Sequence, residues 1–266
     1  MLEVSELSRS TFYYQLKVQA LPNKYEELIK QIQLIYHDHK GRYGYRRITA
    51  VVRHAGYCVN HKTVQKLMGQ LQLKARIRVK KYHSYKGNIG KIADNLLQRQ
   101  FHADKPHSKW STDVCEFHVH GDKLYLSPLL DLFNSEVISY RMAKRPMFST
   151  VEDMMSEAIS KLSADEKPIV HSDQGWQYQM QPFQQLLKQH DLKQSMSRKG
   201  NCLDNCMIEN FFGIVKSECF YLQKFESINQ LEQALHEYMH YYNHNRIKEK
   251  LNWLSPVQYR LQAIKN

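Results

Sequence analysis

Apolar residues recur at helical spacing up to about residue 73 and at strand spacing from about residue 105, so the pattern alone divides the chain. Residues 24–39 (KYEELIKQIQLIYHDH) set Leu28, Ile29, Ile32, Ile35 and Tyr36 on one helical face, with charges between them. Within residues 42–73, Ile48, Val51 and Val52 predict a short amphipathic helix that Gly56 can end. Asn60 is a good N-cap for a second helix carrying Val64, Leu67, Met68 and Leu71 on one face. Its other face offers His61, Lys62, Gln65 and Lys66. Two short helices joined by a glycine-containing turn fit a helix-turn-helix, an outline that many small helical pairs share. The first sixteen residues predict about one more helix.

From about residue 105 three short runs, 109–119, 123–133 and 136–142, are rich in Val, Ile, Leu, Phe and Tyr. His120-Gly121-Asp122 and Asn134-Ser135 mark the turns between them, which predicts three consecutive antiparallel strands. A helix follows, opened by Ser149 with Glu152 at capping-box spacing, its stripe formed by Val151, Met154, Met155, Ala158, Ile159 and Leu162. Next come a strand from Pro168 to His171, a helix begun at Pro182, a strand near 192–196 and a helix from about 204 to 219. That order describes an α/β layered domain with a mixed sheet. A last helix runs from Ser227, capping-box partner of Gln230, to about Tyr242, and buries Ile228, Leu231, Leu235 and Tyr238. The expected segments are 1–23 (helical), 24–73 (helix-turn-helix), 74–104 (basic linker), 105–222 (the α/β core) and 223–266 (helical extension).

Charge sharpens this division. Residues 1–104 hold 19 Lys and Arg against 7 Asp and Glu, an excess of 12, whereas residues 105–266 hold 19 of each sign. A basic module joined to a neutral one suggests one half that grips a polyanion and another with a different task. Residues 72–93 carry Lys74, Arg76, Arg78, Lys80, Lys81, Lys86 and Lys91 with no acid, and Tyr82, His83 and Tyr85 among them. Two readings stand for this run: a solvated linker, or a segment that tracks phosphates and offers tyrosines for stacking. No stretch approaches the roughly 18 consecutive apolar residues of a membrane span, and the first residues lack the pattern of a secretory signal. The five cysteines show no repeated C-x-x-C spacing, which fits free thiols in a reducing cytoplasm.

The candidate chemistry lies in three carboxylates: Asp113 in W-S-T-D, Asp173 in H-S-D-Q-G and Glu209 in N-C-M-I-E-N-F-F. Asp113 is expected within the first strand, Asp173 just past the end of the fourth, where α/β sheets place ligands. Glu209 is expected at the border of a helix face built from Ile208, Phe211, Phe212, Val215 and Cys219. Acids from distant points repel unless a cation holds them, and hard oxygen ligands suit Mg²⁺ or Mn²⁺. Two such ions are the usual device for displacement at phosphorus, so the residues point to phosphodiester chemistry on DNA. Lys216, two helical turns past Glu209, falls on the same side and can reach a phosphate. The run Ser197-Arg198-Lys199-Gly200-Asn201 reads as a DNA-contacting loop or as a plain connector. Glu116 is expected to pair with a surface base, Asp131 to cap a strand end, and His118 and His120 to lie on the surface. His171 either faces the acids or supports them.

Together W-S-T-D, H-S-D-Q-G-W-Q-Y, S-M-S-R-K-G-N-C-L-D-N-C-M-I-E-N-F-F, K-S-E and the closing Y-N-H-N-R-I-K-E-K-L-N-W-L-S-P resemble the catalytic product of bacterial insertion sequences of the IS-three family. Thirty-five residues separate Asp173 from Glu209 and Lys216 lies seven beyond it, that family's D, D-35-E signature, shared in outline with retroviral integrases. R-Y-G-Y-R-R-I, with Arg46 and Arg47, and V-N-H-K-T-V-Q-K-L-M resemble the helix-turn-helix region before its integrase core. The resemblance covers nearly the whole chain. It implies an RNase H-like core, a five-stranded mixed sheet with flanking helices, preceded by an all-α helix-turn-helix region. It implies a transposase with Asp113, Asp173 and Glu209 as catalytic metal ligands that bind Mg²⁺ or Mn²⁺, as two ions. Lys216, Arg198, Lys199, Arg46, Arg47, His61, Lys62, Gln65 and Lys66 are the candidate DNA contacts. Double-stranded DNA, both terminal repeats and target, is the expected partner, with a homo-multimer on paired ends. In this family the catalytic frame is usually fused to a short upstream frame, and the chain, without a heptad zipper, resembles the downstream product. The expected setting is the cytoplasm, at the nucleoid. Two rivals remain at this stage: a DNA-binding regulator acting by occupancy alone, and a plain RNase H-type nuclease that cuts but never joins.

Overall fold

The computed structural model describes residues 8–20, 24–76, 93–198 and 201–265. The chain divides into two compact units, Met1–Arg76 and Ile77–Asn266.

The first unit is helical: α1 (Arg9–Ala20), α2 (Glu26–Asp38), α3 (Tyr45–His54) and α4 (His61–Gln70). The last three pack on one another. Their small core contains Leu28, Ile32, Ile35, Ile48, Val52, Val64, Leu67 and Met68. The helical periodicity predicts this face well, except that Ile29, Tyr36, Val51 and Leu71 are only half-buried. Asn60 caps α4 as expected, its side chain accepting a bond from the Lys62 N–H at 2.9 Å. Gly56 adopts φ +93° in the turn between α3 and α4, a conformation that only glycine takes without strain. Of the basic run, Lys74 and Arg76 fold back on this unit. The Lys74 carbonyl accepts the Tyr36 hydroxyl at 2.7 Å and the Arg76 N–H donates to Gly41 O at 3.0 Å. Arg78, Lys80, Lys81, Tyr82, His83, Tyr85, Lys86 and Lys91 lie outside the described residues.

The second unit is built on one mixed sheet. Its strands are β1 (Lys109–Thr112), β2 (Cys115–Val119), β3 (Asp122–Asp131), β4 (Val137–Ala143), β5 (Ile169–Ser172) and β6 (Lys193–Met196). β3 pairs antiparallel with β1, β2 and β4, while β5 pairs parallel with β1 and β6. The expected first strand is thus two segments. β1 and β2 face β3 in one continuous register, and the unpaired residues Asp113 and Val114 fall opposite Pro128 and Ser127. Proline explains the break. The Pro128 carbonyl accepts the Thr112 hydroxyl at 2.9 Å, so its missing N–H also faces this side, where the ladder would need a donor. Asp113 therefore stands in a gap of the sheet edge-to-edge pairing and not within a strand.

Helices cover both faces. On one, α5 (Phe148–Ile159) and α7 (Gln181–Gln189) pack Val151, Met154, Met155, Phe183 and Leu187 against Trp110, Leu129, Ile138 and Val170. On the other, α8 (Cys206–Glu218) and α9 (Ile228–His244) pack Ile208, Phe211, Val215, Leu231 and Leu235 against Phe117, Leu124, Leu126 and Leu130. Each such fully buried side chain contributes about 1.5–3 kcal/mol. α5 begins at Phe148, after Met147, with no side-chain cap, so the Ser149–Glu152 capping box does not form. The Ser227 cap does form: its hydroxyl accepts the Gln230 N–H, and Gln230 Oε1 accepts the Glu226 N–H at 2.9 Å. The pattern misses the one-turn helix α6 (Trp176–Gln179) and the closing α10 (Pro256–Lys265). A 3₁₀ turn at Cys202–Asn205 precedes α8, which starts two residues later than expected. α8 and α9 are joined by a buried ion pair. Arg246 donates to both Glu218 oxygens at 2.7 and 2.8 Å, and the Tyr238 hydroxyl adds a third bond at 3.0 Å.

Candidate active site

Three segments far apart in sequence deliver the three carboxylates to one place. Asp113 sits in the gap between β1 and β2, Asp173 immediately follows β5, and Glu209 lies in the first turn of α8. Burial pushes the Asp113 carboxyl well above the usual aspartate range, and the negative charges of Asp173 and Glu209 push it further. Burial likewise raises Asp173. Each aspartate is held by its own turn. Asp113 Oδ1 accepts the Val114 N–H at 2.7 Å, and Asp173 Oδ1 accepts the Gly175 N–H at 2.8 Å. A Cβ at Gly175 would come within 2.8 Å of that same Asp173 oxygen, so a side chain there would push the carboxylate out of its place. Below the acids the buried Tyr178 hydroxyl meets Thr112 Oγ1 at 3.3 Å. Among the described residues, no three His, Cys, Asp or Glu side chains already close into a metal-ligand cage.

The approach to Glu209 rests on Asp204, which the sequence reading passed over. Its buried carboxylate accepts five bonds. Arg198 gives three, two from its guanidinium at 2.8 and 2.9 Å and one from its N–H at 3.1 Å. Arg99 Nε gives one at 2.9 Å and Asn95 Nδ2 another at 3.0 Å. The Arg198 bonds above all hold the Asp204 carboxyl far below the usual range. His171 supports this loop and does not face the acids. Its Nε2–H donates to the Asp204 carbonyl at 2.8 Å, leaving Nδ1 to accept from Ser195 Oγ at 2.9 Å. Burial lowers its pKa and keeps it neutral. The next residue, Asn205, is buried and donates Nδ2 to Asp113 Oδ2 at 3.2 Å, while its Oδ1 has no partner. The D-N pair just ahead of a helix, six residues after an arginine, is the local signal that marks this clamp.

Comparison with known proteins places the chain. Residues 103–202 and 209–264 each match a model described as integrase core domain, and residues 24–81 match an HTH-like domain. A transposase, InsK, of insertion sequence element IS150 from Escherichia coli (strain K12) is 55% identical over 99% of this chain and 93% of its own length. The chain belongs to the IS-three family of insertion-sequence transposases. A transposase-like protein of Haemophilus influenzae is 53% identical over 77% of this transposase and 95% of its own length. Transposase InsF of insertion sequence IS3A from Escherichia coli (strain K12) is 33% identical over 83% of the transposase and 77% of its own length. The solved HTLV-2 integrase catalytic core domain in complex with magnesium (dimeric form) is 21% identical, covering 59% of this chain and 98% of that one, with a TM-score of 0.45. The transposase is a DDE-type polynucleotidyl transferase with an RNase H-like integrase core behind an HTH-like region.

The remaining candidates fall into distinct surroundings. On α4 of the transposase, His61, Lys62, Gln65 and Lys66 are all exposed, opposite the buried face. On α3, Arg46 is exposed, while Arg47 lies over the ring of buried Tyr43 at 5.3 Å. Lys216 lies over the Phe117 ring at 5.6 Å and beside the Cys115 thiol, at the start of the strand that follows Asp113. Arg198 has the clamp on Asp204 as its structural task, although its side chain is 58% exposed. Lys199 lies outside the described residues. Glu116 pairs with exposed Lys123 at 3.2 Å and with His118, and His120 is exposed. Asp131 is buried at the end of β3 and accepts the N–H groups of His107 and Phe133 at 2.8 and 3.0 Å. Cys58, Cys115, Cys206 and Cys219 are free thiols. No helix among the described residues is long and apolar enough to cross a membrane.

Proposed function

We propose that Asp113, Asp173 and Glu209 are the catalytic carboxylates of this transposase, which hold a pair of Mg²⁺ or Mn²⁺ ions. What supports this reading is the meeting of three acids from distant segments: burial raises the Asp113 carboxyl, and the charges of Asp173 and Glu209 raise it further. Carboxylates so placed are a hard, all-oxygen donor set in need of positive charge, which suits these ions. When bound, the ions activate the attacking oxygen and stabilise the leaving one. The residues of the chain then fix geometry. The turns of Asp113 and Asp173 fix their carboxylates, the Asp204 clamp sets the start of α8, and Asn205 steadies Asp113.

A water attacks the phosphodiester at an element end; the new P–O bond replaces the P–O3′ bond and the 3′ oxygen leaves as a hydroxyl. That 3′-OH next attacks a second phosphodiester, so one P–O bond forms as another breaks and no nucleotide cofactor is consumed. Lys216 holds a phosphate beside the acids. Arg198 and Lys199 contact the DNA backbone. His61, Lys62, Gln65 and Lys66, with Arg46 and Arg47, contact the terminal repeats, and that grip weakens as salt rises. The working species is a multimer on paired ends at the nucleoid, with the upstream-frame protein as a fusion partner.

A strand-cleavage and joining assay with Mg²⁺, on labelled DNA carrying the element's own ends, tests the reading. The wild-type chain joined to the upstream segment is expected to cut and join; Asp173→Asn in the same form is expected to bind DNA and do neither. Equal cutting by both proteins would remove Asp173 from the chemistry. Cutting without joining would make the chain a nuclease.

A further inference from the structure

We infer that the cleft between Trp176 and Met147 is a subsite for a single nucleobase swung out of the DNA stack beside the reacting phosphodiester. The two side chains are 52% and 50% exposed, while Gln177, Tyr178 and Val151 next to them in the fold are buried. Both line one cleft of about 170 Å³, together with Val114, Tyr125 and Arg145. Val114 follows Asp113, and Trp176 lies three residues past Asp173, so the same two chain segments carry the acids and part of the cleft wall. The inference rests on the placement of the reacting phosphodiester at those acids.

The chemistry of the lining identifies the occupant. An indole face, a thioether and a guanidinium around an apolar floor are surfaces on which any base can stack, because every base has a π face. Arg145 makes no ion pair or hydrogen bond among the described residues and is open to a base or its phosphate. Glu116, the one acid on the rim, is already neutralised by Lys123. A paired, stacked base cannot present its face to a slot of this kind, so the base that enters must have left the stack. The core does not require a tryptophan here, since half of the side chain lies in solvent.

The test uses the full chain and duplexes bearing the terminal repeat of the insertion sequence that encodes it. 2-Aminopurine replaces one nucleotide at a time around the phosphodiester to be cut; a second series carries it in the target strand. The wild type is expected to change the emission of the probe at one position. Trp176→Ala should abolish that signal and weaken binding about 5- to 150-fold, the range for one stacked base. Trp176→Phe should keep much of both, which separates loss of stacking from loss of folding. A response in the element-end series assigns the subsite to the transposed strand, and one in the target series assigns it to target DNA. No response at any position, or equal signals in the wild type and Trp176→Ala, would overturn the inference. Asp173→Asn should keep the signal while losing cleavage. A Trp176-dependent signal in a chain whose cutting ignores Asp173 would instead sink the acid assignment and leave the subsite standing.

Discussion

The two units hold their candidate residues in opposite ways. In the helical unit, His61, Lys62, Gln65 and Lys66 stand in solvent on one face of α4, and the core behind them touches none of the chemistry. In the sheet unit, Asp113, Asp173, Asp204 and Asn205 are half or fully buried and bonded to the scaffold. A surface grip is a sum of weak, replaceable terms. A convergent site is a single arrangement in which each part sets the next, so damage there spreads.

The contrast sets the order of expected effects. Asp113→Asn, Asp173→Asn or Glu209→Gln should each lower strand cleavage by on the order of 10³-fold, equivalent to about 4 kcal/mol of barrier, with DNA binding retained in a mobility-shift assay. A variant of this set that still cuts at the wild-type rate would show that the site is not convergent. Glu218→Ala should lower the stability of the sheet unit by about 3–5 kcal/mol in a denaturant titration, because it leaves Arg246 buried and unpaired. Asp204→Asn frees the approach to α8; turnover should fall about 10- to 100-fold, as it does when a supporting partner of a metal ligand is removed. Mn²⁺ binding followed by calorimetry should weaken in parallel, whereas a purely structural role would lower Tm and leave that affinity intact.

A smaller effect has the opposite sign. Because the folded-state pKa of Asp113 is raised, its ionised form opposes folding, and that opposition grows as pH rises from the ordinary aspartate range through the raised value. Metal-free Asp113→Asn should therefore melt above the wild type at pH 7, by about 2–4 °C for each kcal/mol relieved. The gap should close as pH falls below the usual pKa of about 3.9. Smallest of all, Lys62→Ala or Lys66→Ala should weaken terminal-repeat binding only a few-fold and reduce the salt slope by about one each. An equal loss of cutting on pre-bound DNA would erase the distinction between the units.

What the sequence reveals follows the same line. Helical faces such as Leu28, Ile32 and Ile35, and the Asn60 cap, are local, so spacing alone finds them. Asp113, Asp173 and Glu209 stand out because their motifs match a family, not because spacing places them together. Pro128 breaks the pairing at Asp113, fifteen residues earlier, only through cross-strand register, which no local window contains. The Asp204 clamp joins residues about one hundred positions apart, Asn95 and Arg99 among them, and was invisible for that reason. Ser149 and Glu152 have capping-box spacing, yet α5 starts one residue earlier and leaves the box without a use.

The two integrase-core matches end and begin at residues 202 and 209, so their seam falls on Asp204 and Asn205. That seam looks like a natural junction for exchanging parts between relatives, and the structure says otherwise. A chimera joined there would take Arg99 and Arg198 from one parent and the glutamate helix from another, so the clamp that sets the start of that helix would straddle the junction. A working exchange between relatives therefore has to carry Asn95, Arg99 and Arg198 together with Asp204, in one piece.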